Sequence, residues 1–280
     1  MRRVTLAFGV LCGVGLVLTG CALLPGQQRD AWRGQAERAC LARGDVTTSS
    51  YASRLSPING PGQCGIGRPF RVTALSGGTV QLSNPATLGC PVIAETERWL
   101  EQIVQPAAAL YFGSRVVAMR SGDYACRTRN SRRGAPLSEH AFGNAVDVMA
   151  FTLANGRDVT VRRGWRGEED ERAFLREVFL GACRGFSTVL GPGADAFHDD
   201  HFHFDLARHD ARGEYRVCRP DISFAPRIDP DAPPPPQQRT PVFKRPASGL
   251  APATPQAAIG ILPAEPALSP GVRGGFGPIY

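Results

Sequence analysis

Apolar and polar positions along the chain follow two different periods. Residues 69–73 and 79–82 are apolar-rich runs on either side of Ser76-Gly77-Gly78, which predicts a β-hairpin. Ile93, Trp99, Leu100, Ile103, Val104 and Ala107 recur near helical spacing and predict a helix over 92–112, kinked or restarted at Pro106. Residues 115–119 (RVVAM) and 145–151 (AVDVMAF) read as strands. Residues 168–182 begin with acidic side chains, which suit the positive end of a helix. They continue with an apolar stripe of Phe174, Leu175, Val178 and Phe179. Residues 201–206 (HFHFDL) alternate strictly, as a strand does. The sum is an α+β fold: a single domain with helices packed against a small, mostly antiparallel sheet.

The two ends of the chain break this pattern. Arg2 and Arg3 precede an apolar run over 4–19, the layout of a secretory signal peptide. The run closes on Leu18-Thr19-Gly20-Cys21, which resembles a bacterial lipobox. That resemblance implies a lipidated Cys21, removal of residues 1–20, and a periplasm-facing, lipid-anchored protein. Ala22 after the cysteine points to the outer membrane. Residues 21–35 read as a tether and 36–220 as the folded domain. Fifteen of the 24 prolines lie at or after Pro220, so 221–280 reads as a disordered or polyproline-II tail.

Cysteine usage agrees with export. Cys12 and Cys21 lie in the signal region, and Cys40, Cys64, Cys90, Cys126, Cys183 and Cys218 remain for the domain. No two form a CxxC pair, so three disulfides are expected rather than a cysteine metal site. Spacing does not choose among the possible pairings; Cys40–Cys218, Cys64–Cys90 and Cys126–Cys183 is the working expectation. The formal charge is +7, and all but Lys244 of the 32 basic residues are arginine, which suits anionic groups. Basic and aromatic residues do not interleave, so nothing supports nucleic-acid binding. Oligomeric state leaves no trace in the sequence.

The candidate chemistry is concentrated in histidine. Three of the five histidines fall in HDDHFH (198–203) and a fourth in SEHAFGNAVD (138–147). Asp147 interrupts an apolar run between Val146 and Val148, where a carboxylate is costly unless paired or bound to metal. Gly143-Asn144 is a turn signal that can bring Asp147 back beside His140. In HFHF, His201 and His203 share one strand face and the phenylalanines the other, so either histidine could complete a His/Asp/His set. Three protein ligands with an open position is the arrangement of a catalytic zinc site. Asp200 lies close enough in sequence to reach a metal-bound water, Asp199 being its rival. Asp205 and Ser138 are candidates for orienting the ligands from behind. His198 reads as a loop residue near the cleft and His209 as a surface residue.

SEHAFGNAVD resembles the SxHxxGxAxD signature of the D-Ala-D-Ala carboxypeptidase and peptidoglycan endopeptidase superfamily of zinc peptidases, and DHFH resembles its closing motif. DYACRTRN (123–130), VLGPGADAFHDDHFHFD (189–205) and the cysteine positions look closer still to the bacterial extensin-like C-terminal domain family, over roughly 36–220. The resemblance implies His140, Asp147 and His203 as zinc ligands, Asp200 as general base and His201 as an assisting group. It implies Arg127 for substrate carboxylate or oxyanion, with Arg120 and Arg129 as competitors. The expected function is a zinc-dependent peptidase or amidase, of D,D-carboxypeptidase or endopeptidase type, acting on peptidoglycan stem peptides. The rival expectation is a non-catalytic, metal-binding envelope lipoprotein that binds cell wall.

Overall fold

A computed structural model of the protein describes residues 28–229 and 231. The expected signal peptide (1–20), the expected lipidation site Cys21 and most of the expected tail (230 and 232–280) lie outside the described residues. Among the described residues no helix is long and apolar enough to cross a membrane.

The chain opens with helix α1 (Ala31–Arg43), followed by the short strand β1 (Ala52–Arg54) and a two-residue pair, β2 (Ile58–Asn59) and β3 (Gly65–Ile66). Strands β4 (Pro69–Leu75) and β5 (Val80–Gly89) form the expected hairpin. Its turn runs through Ser76, Gly77 and Gly78, all at positive φ, a conformation that two glycines supply without a Cβ penalty. Helix α2 (Cys90–Trp99) passes through a π-helical stretch, Leu100–Val104, into α3 (Gln105–Phe112). Pro106 sits in the first turn of α3, where its missing N–H is tolerated, so the chain restarts rather than breaks there.

Strands β6 (Val116–Gly122), β7 (Ala145–Leu153) and β8 (Asp158–Thr160) follow. The one-turn helix α4 (Val161–Gly164) and the long α5 (Glu169–Gly185) come next, then β9 (Thr188–Leu190), β10 (Phe202–Asp205) and β11 (Val217–Arg219).

Nine strands make one sheet in the order β1-β4-β5-β6-β7-β10-β9-β11, with β8 beside β7. The sheet is mostly antiparallel, as expected, but it is not small: it has nine strands and is mixed, with β5–β6 and β9–β11 parallel. The strands of this sheet that were not expected are β1, β8, β9 and β11, each three residues long, and the separate β2–β3 pair has two residues a strand; all are too short to display a period.

One face of the sheet carries the core. Phe202 and Phe204 are fully buried and meet Trp165 and Trp99 edge-on, Phe179 at a tilt and Phe186 stacked. The Trp99 indole donates to the Val178 carbonyl at 2.8 Å, tying α2 to α5. The expected tether also needs correction at its C-terminal end, because α1 begins at Ala31. At the other end, Ile222 and Ile228 pack against the core, and the buried Glu177 carboxylate accepts the backbone N–H groups of Arg227 and Ile228.

All six domain cysteines pair, but none as expected. The disulfides are Cys40–Cys90, Cys64–Cys126 and Cys183–Cys218, with Cα separations of 6.0, 5.6 and 5.8 Å. Each follows from packing: α1 on the start of α2, the β2–β3 pair on the loop after β6, and α5 on β11.

Candidate metal centre

The opposite sheet face carries the polar cluster. Strand β10 pairs antiparallel with β7, and the register sets His203 directly against Asp147. The strand pleat that sends Phe202 and Phe204 into the core sends His203 the other way. His140 arrives from a short 3-10 turn, Glu139–Phe142, capped by Ser138, whose hydroxyl accepts from the His140 N–H. Gly143 at φ 58° then reverses the chain into β7, and a Cβ there would strike Ile66. Glycine is required at this position, and it is what lets residues seven apart converge.

Three atoms meet. His140 Nε2 lies 3.0 Å from Asp147 Oδ1 and 3.1 Å from His203 Nδ1, and His203 Nδ1 lies 3.0 Å from the same carboxylate oxygen. Each ring has its other nitrogen committed. His140 Nδ1 donates to the Asp123 carbonyl at 2.7 Å, and His203 Nε2 donates to Asp205 Oδ2 at 3.0 Å. A carbonyl and a carboxylate only accept, so when both rings are neutral these bonds leave His140 Nε2 and His203 Nδ1 as lone pairs facing a third acceptor. Ligands about 2.0–2.1 Å from a tetrahedral zinc stand roughly 3.3 Å apart, close to the spacing found here. His140, Asp147 and His203 thus form a group able to hold a metal ion.

The electrostatics agree. Burial works against charge on Asp147, yet hydrogen bonds to His140 and His203 hold its carboxyl well below the usual range. Burial likewise opposes charge on His203, but Asp147 and Asp205 outweigh it and push the imidazole up to about 10. Asp205 is held low by His203 against the same burial penalty. The pocket demands positive charge, from a proton or a cation.

A cleft of about 470 Å³ opens beside the cluster, lined by His203, Asp205, His201, His198, Arg127 and Arg129 among others. His201 Nε2 lies 3.7 Å from Asp147 Oδ1, while its Nδ1 bonds Asp200 Oδ1 at 2.8 Å. Asp200 is mostly exposed, is held low by the His201 bond, and is not among the lining residues. The group facing the centre is therefore His201, with the expected base Asp200 standing behind it. His198 is buried, with Nδ1 on Asp195 Oδ1 at 2.7 Å, and burial lowers its pKa despite that partner. His209 is exposed, as expected, and also lines the cleft and bonds Thr188. Arg127 and Arg129 line the cleft; Arg120, on β6, does not.

Sequence reading missed what steadies His140. Arg33 of α1 holds Glu139 in a bidentate ion pair and lies over Phe142. Asn144 donates to the same Glu139 carboxylate at 2.7 Å. The Cys64–Cys126 disulfide anchors the 123–127 loop, whose Asp123 carbonyl and Ala125 N–H both hold His140.

Among curated proteins and among solved structures, none matches the chain. A protein-family model does match, described as extensin-like protein C-terminus, over residues 38–219, and that span includes all three cluster residues. The chain belongs to the extensin-like protein C-terminus family.

Proposed function

We propose that the protein is an exported, lipid-anchored zinc peptidase or amidase, related to the D-Ala-D-Ala carboxypeptidase and peptidoglycan endopeptidase superfamily and acting on peptidoglycan stem peptides. The observation that carries the proposal is the convergence of His140 Nε2, His203 Nδ1 and Asp147 Oδ1 with both outer ring nitrogens already donating. Two nitrogens and one carboxylate oxygen are a donor set that zinc accepts, and three protein ligands are the count of a catalytic site.

Zinc held there would supply Lewis acidity toward a water and an amide carbonyl. The remaining work falls to the chain's own residues. His201 is the proton acceptor, at Nε2, because Nδ1 donates to Asp200. Asp200 stabilises the imidazolium that results and keeps the ring turned toward the centre. Arg127 and Arg129 line the cleft and supply cations for a substrate carboxylate or a developing oxyanion. Asp205 and Asp123 fix the tautomers of the ligand histidines.

The test is digestion of purified sacculi by the oxidised, zinc-loaded protein, with released muropeptides separated by chromatography. Release is expected, abolished by chelation and by His140→Ala, and reduced roughly 10²–10⁴-fold by His201→Ala. A zinc-loaded protein that binds sacculi and releases nothing would instead establish the wall-binding, non-catalytic alternative.

A further inference from the structure

Charge along the cleft does not balance. Three acids line it: Glu139, Asp195 and Asp205. Each has a cationic or imidazole partner, in Arg33, His198 and His203 respectively. Its two arginines do not. Arg127 and Arg129 meet no carboxylate among the described residues, nor do Arg132 and Arg133 just beyond. Arg127 and Arg129 on the cleft wall, and the exposed Arg132 and Arg133 further along the same loop (the lip), therefore stand without a carboxylate partner among the described residues.

The lip is held in shape. Thr128 and Leu137 form an isolated antiparallel bridge, Arg129 N–H donates to Pro136 O at 2.9 Å, and Ser138 N–H donates to Arg127 O at 3.0 Å. The Thr128 hydroxyl donates to Arg132 O at 2.7 Å across the tip. Asn130 and Ser131 both take left-handed backbone, at φ 53° and 52°, and both line the cleft. Residues other than glycine adopt that conformation at a cost, so the tip keeps its form against local preference. A loop kept in that shape while its charges stay unpaired is suited to a ligand that brings the charge.

We infer that the 127–133 lip is a carboxylate-recognition element, which selects peptides carrying two or more free carboxylates over the same peptides with those groups amidated. Arg127 and Arg129 reach the carboxylate nearest the centre; Arg132 and Arg133 serve one further along the peptide. Arginine suits the task because its planar fork pairs with carboxylate through two parallel hydrogen bonds. The choice of peptide rests on the stem-peptide reading of the metal centre, whereas the charge preference rests on the lip alone.

The experiment is isothermal titration of the full oxidised chain, with zinc and again with chelator. The probes are synthetic L-Ala-γ-D-Glu-meso-diaminopimelate and its fully amidated counterpart. The acid probe is expected to bind about tenfold or more tighter than the amide, as charge-assisted bidentate pairs require, and to weaken as salt rises. R129Q/R132Q/R133Q should lose most of that preference while keeping its melting temperature and zinc content, which shows that the variant is folded. Equal affinity for the two probes, or a triple variant that discriminates as the parent does, would overturn the inference. Displacement of the acid probe by inorganic phosphate at equal concentration would also overturn it, since the lip would then be a general anion site. Equal probe binding in a protein that still cleaves sacculi would defeat only this inference. Preference for the acid in a protein that cleaves nothing would defeat only the hydrolase reading.

Discussion

The two sides of the cleft are built on opposite terms. On one side His140, Asp147 and His203 sit against the sheet, and the groups around them are partnered: Asp123, Asp205, Ser138, and Glu139 held by Arg33 and Asn144. On the other, the 127–133 lip carries four arginines with no carboxylate partner among the described residues. Preorganised groups stabilise a reacting centre because they need no rearrangement when charge develops. Unpaired, solvated cations select ligands, because their interaction energy is realised only on binding. On the proposed function, chemistry belongs to the sheet side and choice of substrate to the lip, and substitutions on the two sides should separate along that line.

The largest effect belongs to the proposed ligands. His203→Ala removes one of three donors and leaves Asp147 and Asp205 buried beside the gap. Zinc affinity should fall by more than the roughly 10–100-fold that accompanies loss of an outer partner. Metal content after dialysis measures it, and retention of stoichiometric zinc would rule out this centre as the zinc site. Binding of the acid probe in chelator should be untouched, since the lip does not depend on His203.

Next come the disulfides. Cys64–Cys126 closes a separation of 62 residues and Cys40–Cys90 one of 50. In a chain-entropy description each stabilises the fold by about 4 kcal/mol, so the two double-serine variants should melt at similar temperatures. Only Cys64→Ser/Cys126→Ser frees the loop that carries the Asp123 carbonyl and Arg127. It alone should weaken both zinc and acid-probe binding, and equal losses in the two variants would mean that the loop is held without its disulfide.

The same physics decides which parts of the molecule were legible in the sequence. The Gly143-Asn144 turn and the HFHF alternation made a meeting of His140, Asp147 and one of His201 and His203 legible, and the resemblance to the zinc-peptidase motifs chose His203. Asp123 was not legible, since it acts through a backbone carbonyl that any residue would supply. Arg33 was missed because AWRGQAERACLAR shows no apolar stripe, so the first five residues of its helix, 31–35, read as tether. Disulfide partners depend on which elements pack together, and here a nine-stranded mixed sheet replaced the smaller one expected. Asp200 sits at motif spacing, but strand direction turns His201 toward the centre and leaves the carboxylate behind it.

Asp205→Asn tests the tuning of the sheet side. The amide oxygen can still accept from His203 Nε2, so the tautomer survives while the charge does not. Zinc affinity should drop by roughly 10–100-fold, or about 1.4–2.7 kcal/mol, with the preference between acid and amide probes unchanged. A change in probe preference without a change in zinc affinity would reverse the division of labour between the two sides.

The smallest expected effect is on the lip. Gly143 and Ser131 share left-handed backbone, at φ 58° and 52°, but only Gly143 is backed by a packed side chain, Ile66. Ser131→Gly removes the Cβ penalty of that conformation, about 1–2 kcal/mol, and adds unfolded-chain entropy worth roughly 0.5–1 kcal/mol. The domain should gain about 0.5–1 kcal/mol and melt about 1–4 °C higher, at roughly 2–4 °C per kcal/mol for a chain of this size. The same change loosens the tip that sets Arg129 and Arg132, so acid-probe affinity should fall slightly while zinc affinity stays constant. If the strain is kept for recognition, the fold gains stability as the lip loses selectivity. A variant that gains stability and binds the acid probe more tightly would show that the tip's conformation serves no ligand.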